Sequence, residues 1–177
     1  MEPADLPEEP KSSRGKRSFE TRLLSEPIGS LSIAPALTVP LDAPLKKAVE
    51  IMQNEHIGCV LVVDGAGVLK GIFTERDLLN RVAGRGLDWT ACRVADYMTG
   101  DPESLHADDR IVWALNLMHV GGYRHVPITD KQGQARGVVS VKDIVAFIVD
   151  LFPDEVLNLP PDPHRPVSSD DVGGGTD

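Results

Sequence analysis

Cysteine is nearly absent. Cys59 and Cys92 are the two in 177 residues, and no C-x-x-C or metal-ligand spacing joins them, which excludes a disulfide framework and a zinc site and fits a reducing compartment. His56, His106 and His119 show no ligand spacing either, so no metal is expected. Aromatics make up 5% of the chain, so the core must be aliphatic. No apolar run approaches the roughly 20 residues that span a bilayer. There is no phosphate loop of the GxxxxGK type, no nucleophile–base pattern and no pair of catalytic carboxylates, so an enzyme is not expected. A basic excess is also missing. The net charge is −9, which argues against nucleic-acid or anionic-membrane partners. The one basic cluster, Lys11, Arg14, Lys16 and Arg17, lies in a polar N-terminal stretch and reads as a solvated tail. Three prolines and many charges in the first twenty residues exclude a signal peptide. The expected location is the cytoplasm.

What the chain does have is an internal repeat. Gly71-Ile72-Phe73-Thr74-Glu75-Arg76-Asp77 returns as Gly137-Val138-Val139-Ser140-Val141-Lys142-Asp143, an offset of 66 residues. The offset also pairs Asp64 with Asp130, Gly67 with Gly133, Ala48 with Ala114, Met52 with Met118, Asp42 with Asp108 and Ile28 with Val94. It holds without a gap from Ile28 to Asp143, so one supersecondary unit is built twice. Thr74 and Asp77, and again Ser140 and Asp143, have the spacing of a capping box that opens a helix after an apolar strand. The glycines mark a turn or a close backbone approach.

Local patterns order the rest. Residues 1–24 form a tail, disordered to about residue 17, with a weak helix over Ser18 to Leu24. The first repeat occupies 25–93. It begins with an extended lead-in from Ile28 to Val39 and a short strand at Leu37 to Val39. Pro44 opens a helix at its first turn, with Asp42 ahead of it. A hairpin of Cys59 to Val63 and Val68 to Phe73 follows, around the turn Asp64-Gly65-Ala66-Gly67. A closing helix spans 75 to 83, with Leu78, Leu79 and Val82 on its apolar side. The second repeat occupies 94–152: a short strand at Ser104-Leu105, a helix from Asp108 to Val120, strands from Tyr123 to Thr129 and Ala135 to Val139, and a helix from Val141 to Phe152. Residues 153–177, rich in Pro, Asp, Ser and Gly, form a second disordered tail in which Val156, Leu157 and Leu159 could dock. The class is α+β, with β-α-β-β-α occurring twice and a three-stranded sheet per copy. Two such copies packed sheet to sheet would share one core as a single pseudo-two-fold module.

These features together resemble the cystathionine-β-synthase (CBS) domain family. The marks are the tandem β-α-β-β-α copies, GIFTERD and GVVSVKD, Tyr123-Arg124-His125-Val126-Pro127 before the second hairpin, and Asp96-Tyr97-Met98-Thr99 in the connector. The resemblance implies a Bateman module whose clefts bind an adenosine-containing ligand: AMP, ADP, ATP or S-adenosylmethionine. Asp77 and Asp143 would accept hydrogen bonds from ribose hydroxyls, and Thr74 and Ser140 would donate to ribose or phosphate. Gly71 and Gly137 would allow close approach. Adenine would lie near Thr38-Val39 in one cleft and Leu105-His106 in the other. Arg124 and His125 would face phosphates, beside Pro127. A carboxylate suits a ribose diol, a helix start suits phosphate, and Arg gives charge-assisted bonds to phosphate oxygens. The first copy departs from the second: Leu61 replaces Pro127, and Gly58-Cys59 replace Arg124-His125, so phosphate charge should fall mainly to one side. The expected role is a stand-alone regulatory pair with no obligatory cofactor. It would bind an adenine nucleotide, signal to an unidentified effector protein in trans, and form a homodimer through its nearly all-apolar last helix. The alternative is a ligand-free dimerisation or interaction module.

Overall fold

The computed structural model describes residues 21–22 and 24–151. The tail readings, and most of the expected helix over Ser18 to Leu24, lie outside them. Ile28–Ser30 is a 3-10 turn. The first repeat then runs β1 (Thr38–Pro40), α1 (Leu45–Asn54), β2 (Cys59–Val63), β3 (Leu69–Thr74) and α2 (Glu75–Asp77), which opens into a π turn at Leu78–Val82. A 3-10 turn at Val94–Asp96 and a short strand β4 (Thr99–Gly100) connect it to α3 (Ile111–Val120), β5 (His125–Thr129), β6 (Ala135–Ser140) and α4 (Val141–Leu151).

The hairpins follow from their turns. In each, an aspartate carboxylate accepts two backbone N–H groups, those of Ala66 and Val68 at Asp64 and of Gln132 and Gln134 at Asp130. Gly67 and Gly133 take the left-handed conformation, φ +80 and +76, that a side chain would strain. Both hairpins carry an irregularity at the same repeat position, Val62/Val63 and Ile128/Thr129. The tips bond to each other with matching geometry: Leu69 N donates to Gly133 O at 2.9 Å, and Ala135 N to Gly67 O at 3.1 Å.

Several sequence boundaries shift. Pro44 is the residue before α1, not in its first turn, and no side chain caps that helix. Without such a cap α3 starts at Ile111, three residues later than expected. The closing helix of repeat 1 is one capped turn and a wide π turn that buries Val82 and leaves Leu79 exposed. Ser104-Leu105 forms a single parallel bridge, Leu105 to Ile128, rather than a strand.

The packing differs from one shared core. Val39, Leu45, Val60, Val62 and Phe73 centre a core for repeat 1, and Ile28, Ile111, Val126 and Val139 centre one for repeat 2. Between them lies a thin apolar seam of Cys59, Leu61 and Ile72 against Leu69, Ala135 and Val138. The repeats are joined instead by exchange. Ile28, ahead of repeat 1, is fully buried in the core of repeat 2, while Val94, ahead of repeat 2, is fully buried in that of repeat 1. The backbone bonds match: Ile28 N to Asp109 O and Val94 N to Ala43 O, then Ile111 N to Glu26 O and Leu45 N to Cys92 O. β4 completes the first sheet beside β3, in the order β1-β2-β3-β4. Pro35 bridges to Gly137 at the equivalent place beside β6. Each sheet thus has four positions rather than three, the fourth taken by the segment that leads into the other repeat.

Candidate ligand-binding clefts

Each capped helix start opens onto a cleft whose far wall belongs to the other repeat. At the first, Thr74 and Asp77 close a reciprocal box: Asp77 N donates to Thr74 Oγ1 at 3.2 Å, and Thr74 N donates to Asp77 Oδ2 at 3.0 Å. Thr74 Oγ1 also donates to Asp77 Oδ2 at 2.7 Å. The other oxygen of Asp77, a buried residue, accepts from Thr99 Oγ1 at 3.1 Å and faces Arg81 Nε at 3.5 Å. Arg81 Nη1 in turn donates to the carbonyls of Tyr97 and Met98. The cleft beside this group, about 420 Å³, is walled by Thr74, Arg76 and Asp77, by the connector from Thr99 to Glu103, and by Gly121, Tyr123, Arg124, His125 and Pro127.

The second cleft is larger, about 750 Å³. Both volumes suit a small molecule. Ser140 and Asp143 form the same box, with Ser140 N and Oγ both 2.7 Å from Asp143 Oδ2. Every hydrogen bond recorded for this carboxylate among the described residues goes to Oδ2. The walls include Ala34, Pro35 and Leu37 from the lead-in, Glu55 to Cys59 and Glu75 from repeat 1, and Val138 and Ser140 to Asp143 from repeat 2.

Gly58, Arg124 and His125 line both clefts. They lie between the two openings, so the Arg124 and His125 expected to serve one side are within reach of both. A Cβ at Gly58 would lie 2.8 Å from His125 Cε1, so the imidazole rests on bare backbone there. Burial, and secondarily the Arg124 charge, hold His125 below the ordinary histidine value, while Glu75 and Asp143 oppose them. Burial, with Glu75 nearby, pushes the Cys59 thiol up to about 12, so it is no nucleophile at neutral pH.

Of the residues expected at the clefts, Thr74, Asp77, Ser140, Asp143, Arg124, His125 and Pro127 line them. Gly71 and Gly137 do not. A Cβ on Gly71 would strike Met98, and one on Gly137 would meet Ile33 Cγ2 at 3.0 Å and Ala34 O at 3.3 Å. The close approach these glycines allow is that of the exchanged fourth strand. The residues expected beside adenine do not line these two clefts. Val39 is buried in the first core, Thr38 pairs with Leu61 in the sheet, Leu105 packs on the second core, and His106 Nδ1 bonds Thr129 O. The cleft walls come instead from Ala34 to Leu37 and from Thr99 to Glu103, just ahead of each predicted strand. Ile57 and Tyr123, opposite them, stand 66 residues apart, so the repeat already marked them as equivalent.

The CBS domain family model matches residues 28–84 and 94–150. The chain belongs to the CBS domain family. The CBS-domain fold agrees with three solved structures. A CBS-domain containing protein from Agrobacterium tumefaciens is 33% identical, with 64% of this chain and 89% of that one covered and a TM-score of 0.58. CBSX2 in complex with AMP is 19% identical, with 71% and 98% covered and a TM-score of 0.63. The CBS domain pair of protein MJ0100, in complex with 5-methylthioadenosine and S-adenosyl-L-methionine, is 21% identical, with 70% and 96% covered and a TM-score of 0.63. The chain also matches a CBS domain-containing protein of Arabidopsis thaliana at 37% identity over 58% of its own length, spanning 18% of that relative. No catalytic family is indicated, and no described helix is long and apolar enough to cross a membrane.

Proposed function

We propose that this CBS pair is a regulatory module that binds an adenosine-containing ligand and reports its occupancy to a partner protein in trans, without catalysing a reaction, in the cytoplasm. The observation that carries this reading is the pair of inter-repeat clefts. Each joins a hydroxyl–carboxylate helix cap, suited to a ribose, to Arg124 and His125, which reach the first cleft from the opposite repeat and stand on the strand beside the cap in the second. A ligand spanning such a cleft fastens one repeat to the other, so its presence changes how firmly the halves hold together. The AMP bound to CBSX2 and the S-adenosyl-L-methionine and 5-methylthioadenosine bound to the MJ0100 pair support the ligand class. Thermal-shift measurement with AMP, ADP, ATP, S-adenosylmethionine and NAD tests the reading. A ligand at a hundred times its Kd raises stability by about 2.7 kcal/mol, so the right ligand should raise Tm by several degrees. If none of the adenosine ligands shifts Tm at millimolar concentration, the reading fails.

The same reading includes a homodimer. Val141 and Val145 on α4, and Trp113 and Val120 on α3, are exposed apolar residues at one-turn and two-turn spacings on helices that touch each other. Exposed apolar residues on two packed helices favour a self-complementary contact. Light scattering at micromolar concentration should give twice the chain mass. A strict monomer removes this part.

A further inference from the structure

The two clefts differ at the carboxylate on which the proposed function rests. Asp77 has both oxygens engaged: Thr74 holds Oδ2, while Thr99 and Arg81 hold Oδ1. At the equivalent positions around Asp143, 66 residues away, stand Ile33 and Phe147, whose side chains donate nothing, and among the described residues no protein group donates to its Oδ1. The walls diverge in the same sense. Where the second cleft has Leu37, the first has Glu103, beside Asp101. Each cleft is lined by acids (Asp77, Asp101 and Glu103 in the first, Glu55, Glu75 and Asp143 in the second) and by a cation of its own, Arg76 or Lys142, so the contrast is local: at this wall an apolar base meets a carboxylate in the first cleft and the apolar surface of Leu37 beside Ile57 in the second. Both clefts draw on the same Arg124 and His125, so a phosphate held there from one side leaves the other with only its own cation, Arg76 or Lys142.

We infer that the module takes one adenine nucleotide per chain, in the Asp143 cleft, and that the Asp77 carboxylate is a latch joining α2 to the connector and not a ribose acceptor. This rests on the proposed adenosine-ligand reading and narrows it. Isothermal titration of the full-length protein with AMP, ATP and S-adenosylmethionine separately is the test. One equivalent should bind per chain. Asp143→Asn should weaken binding about tenfold or more, the loss of one hydrogen bond to a charged acceptor. Leu37→Glu, which copies the charge of the first cleft onto an exposed position of the second, should weaken it at least as much. Circular dichroism of each variant establishes that it is folded. Two equal sites, or affinity that does not fall with Asp143→Asn and Leu37→Glu, overturns the inference and keeps the adenosine reading. No binding of any of the three ligands overturns both.

Discussion

Replacing the two equivalent aspartates by asparagine in the ligand-free protein should produce unequal losses, although the two share one motif. At Asp77 the substitution removes charge from a buried acceptor holding Thr74 N, Thr74 Oγ1 and Thr99 Oγ1, and it turns an NH2 group toward the Arg81 donor. Hydrogen bonds to charged groups contribute about 1.5–3 kcal/mol against about 1 for neutral ones. Asparagine keeps one acceptor oxygen, and the exposed Arg81 pair contributes at most about 1 kcal/mol, so the expected loss is about 1–3 kcal/mol. At Asp143 only the Ser140 cap is weakened, and asparagine is itself a good local acceptor, so the loss should stay below about 1 kcal/mol. For a chain of this size 1 kcal/mol corresponds to about 2–4 °C in Tm. Asp77→Asn should therefore melt about 3–9 °C below the parent and Asp143→Asn within about 3 °C of it, by circular dichroism at pH 7. Adding Thr99→Val to each should give a further loss in the parent and a smaller one beside Asp77→Asn, since the partner is already impaired. If Asp143→Asn costs as much as Asp77→Asn, or if Thr99→Val is additive with Asp77→Asn, the latch does not exist.

Phe73→Ala empties a fully buried site in the first core and should cost about 3–5 kcal/mol. Because each lead-in is seated in the other repeat, ellipticity and tryptophan fluorescence should still lose signal in one coincident transition; separate transitions for the two halves would contradict the exchange. Burial holds His125 below the ordinary histidine value in the free protein, and a phosphate beside it raises its proton affinity, so binding takes up a proton and tightens as pH falls below neutral. Calorimetry in buffers of different ionisation enthalpy should find that uptake, and His125→Gln should remove the part not due to the nucleotide phosphate; uptake unchanged in the variant refutes the role. Val145→Glu, on the exposed side of α4, should convert a dimer to monomer by light scattering without lowering the monomer's helicity, and a variant that still dimerises moves the interface elsewhere.

The sequence carried the duplicated frame because the strongest local signals, turn aspartates, left-handed glycines and capping boxes, act within four residues and need no partner. Asp64, Gly67, Thr74 and Asp77, and their repeats, do what their spacing predicts. What it did not carry is what depends on residues distant in the chain. Gly71 and Gly137 look like ligand glycines when only their neighbours are considered, yet the atoms they admit belong to Met98 and to Ile33 and Ala34. Helix starts that lack a side-chain cap, at Leu45 and Ile111, were misplaced for the converse reason: their N–H groups are satisfied by Cys92 O and Glu26 O from the exchanged lead-ins. Thr99 and Arg81 were missed because their partner lies across the connector, although the repeat held the clue in Ile33 and Phe147.

On the proposed regulatory reading, the exchange of lead-ins also places the clefts where occupancy can be sensed. The segment ahead of each repeat forms the fourth sheet position of the opposite repeat and then part of a cleft wall, as Pro35 and Leu37 do beside Asp143 and as Thr99 to Glu103 do beside Asp77. A molecule in either cleft touches a helix start fixed in one core, a hairpin fixed in the other, and the strap between them. The direct seam between the sheets is thin, with Cys59, Leu61 and Ile72 as its buried residues, so relative movement of the repeats is resisted mainly by the straps and the bonded hairpin tips. A ligand that adds contacts at the strap would therefore act on one of the few elements that hold the repeats together. A few kilocalories of differential binding there are enough to shift the balance between two arrangements of the halves by tenfold or more.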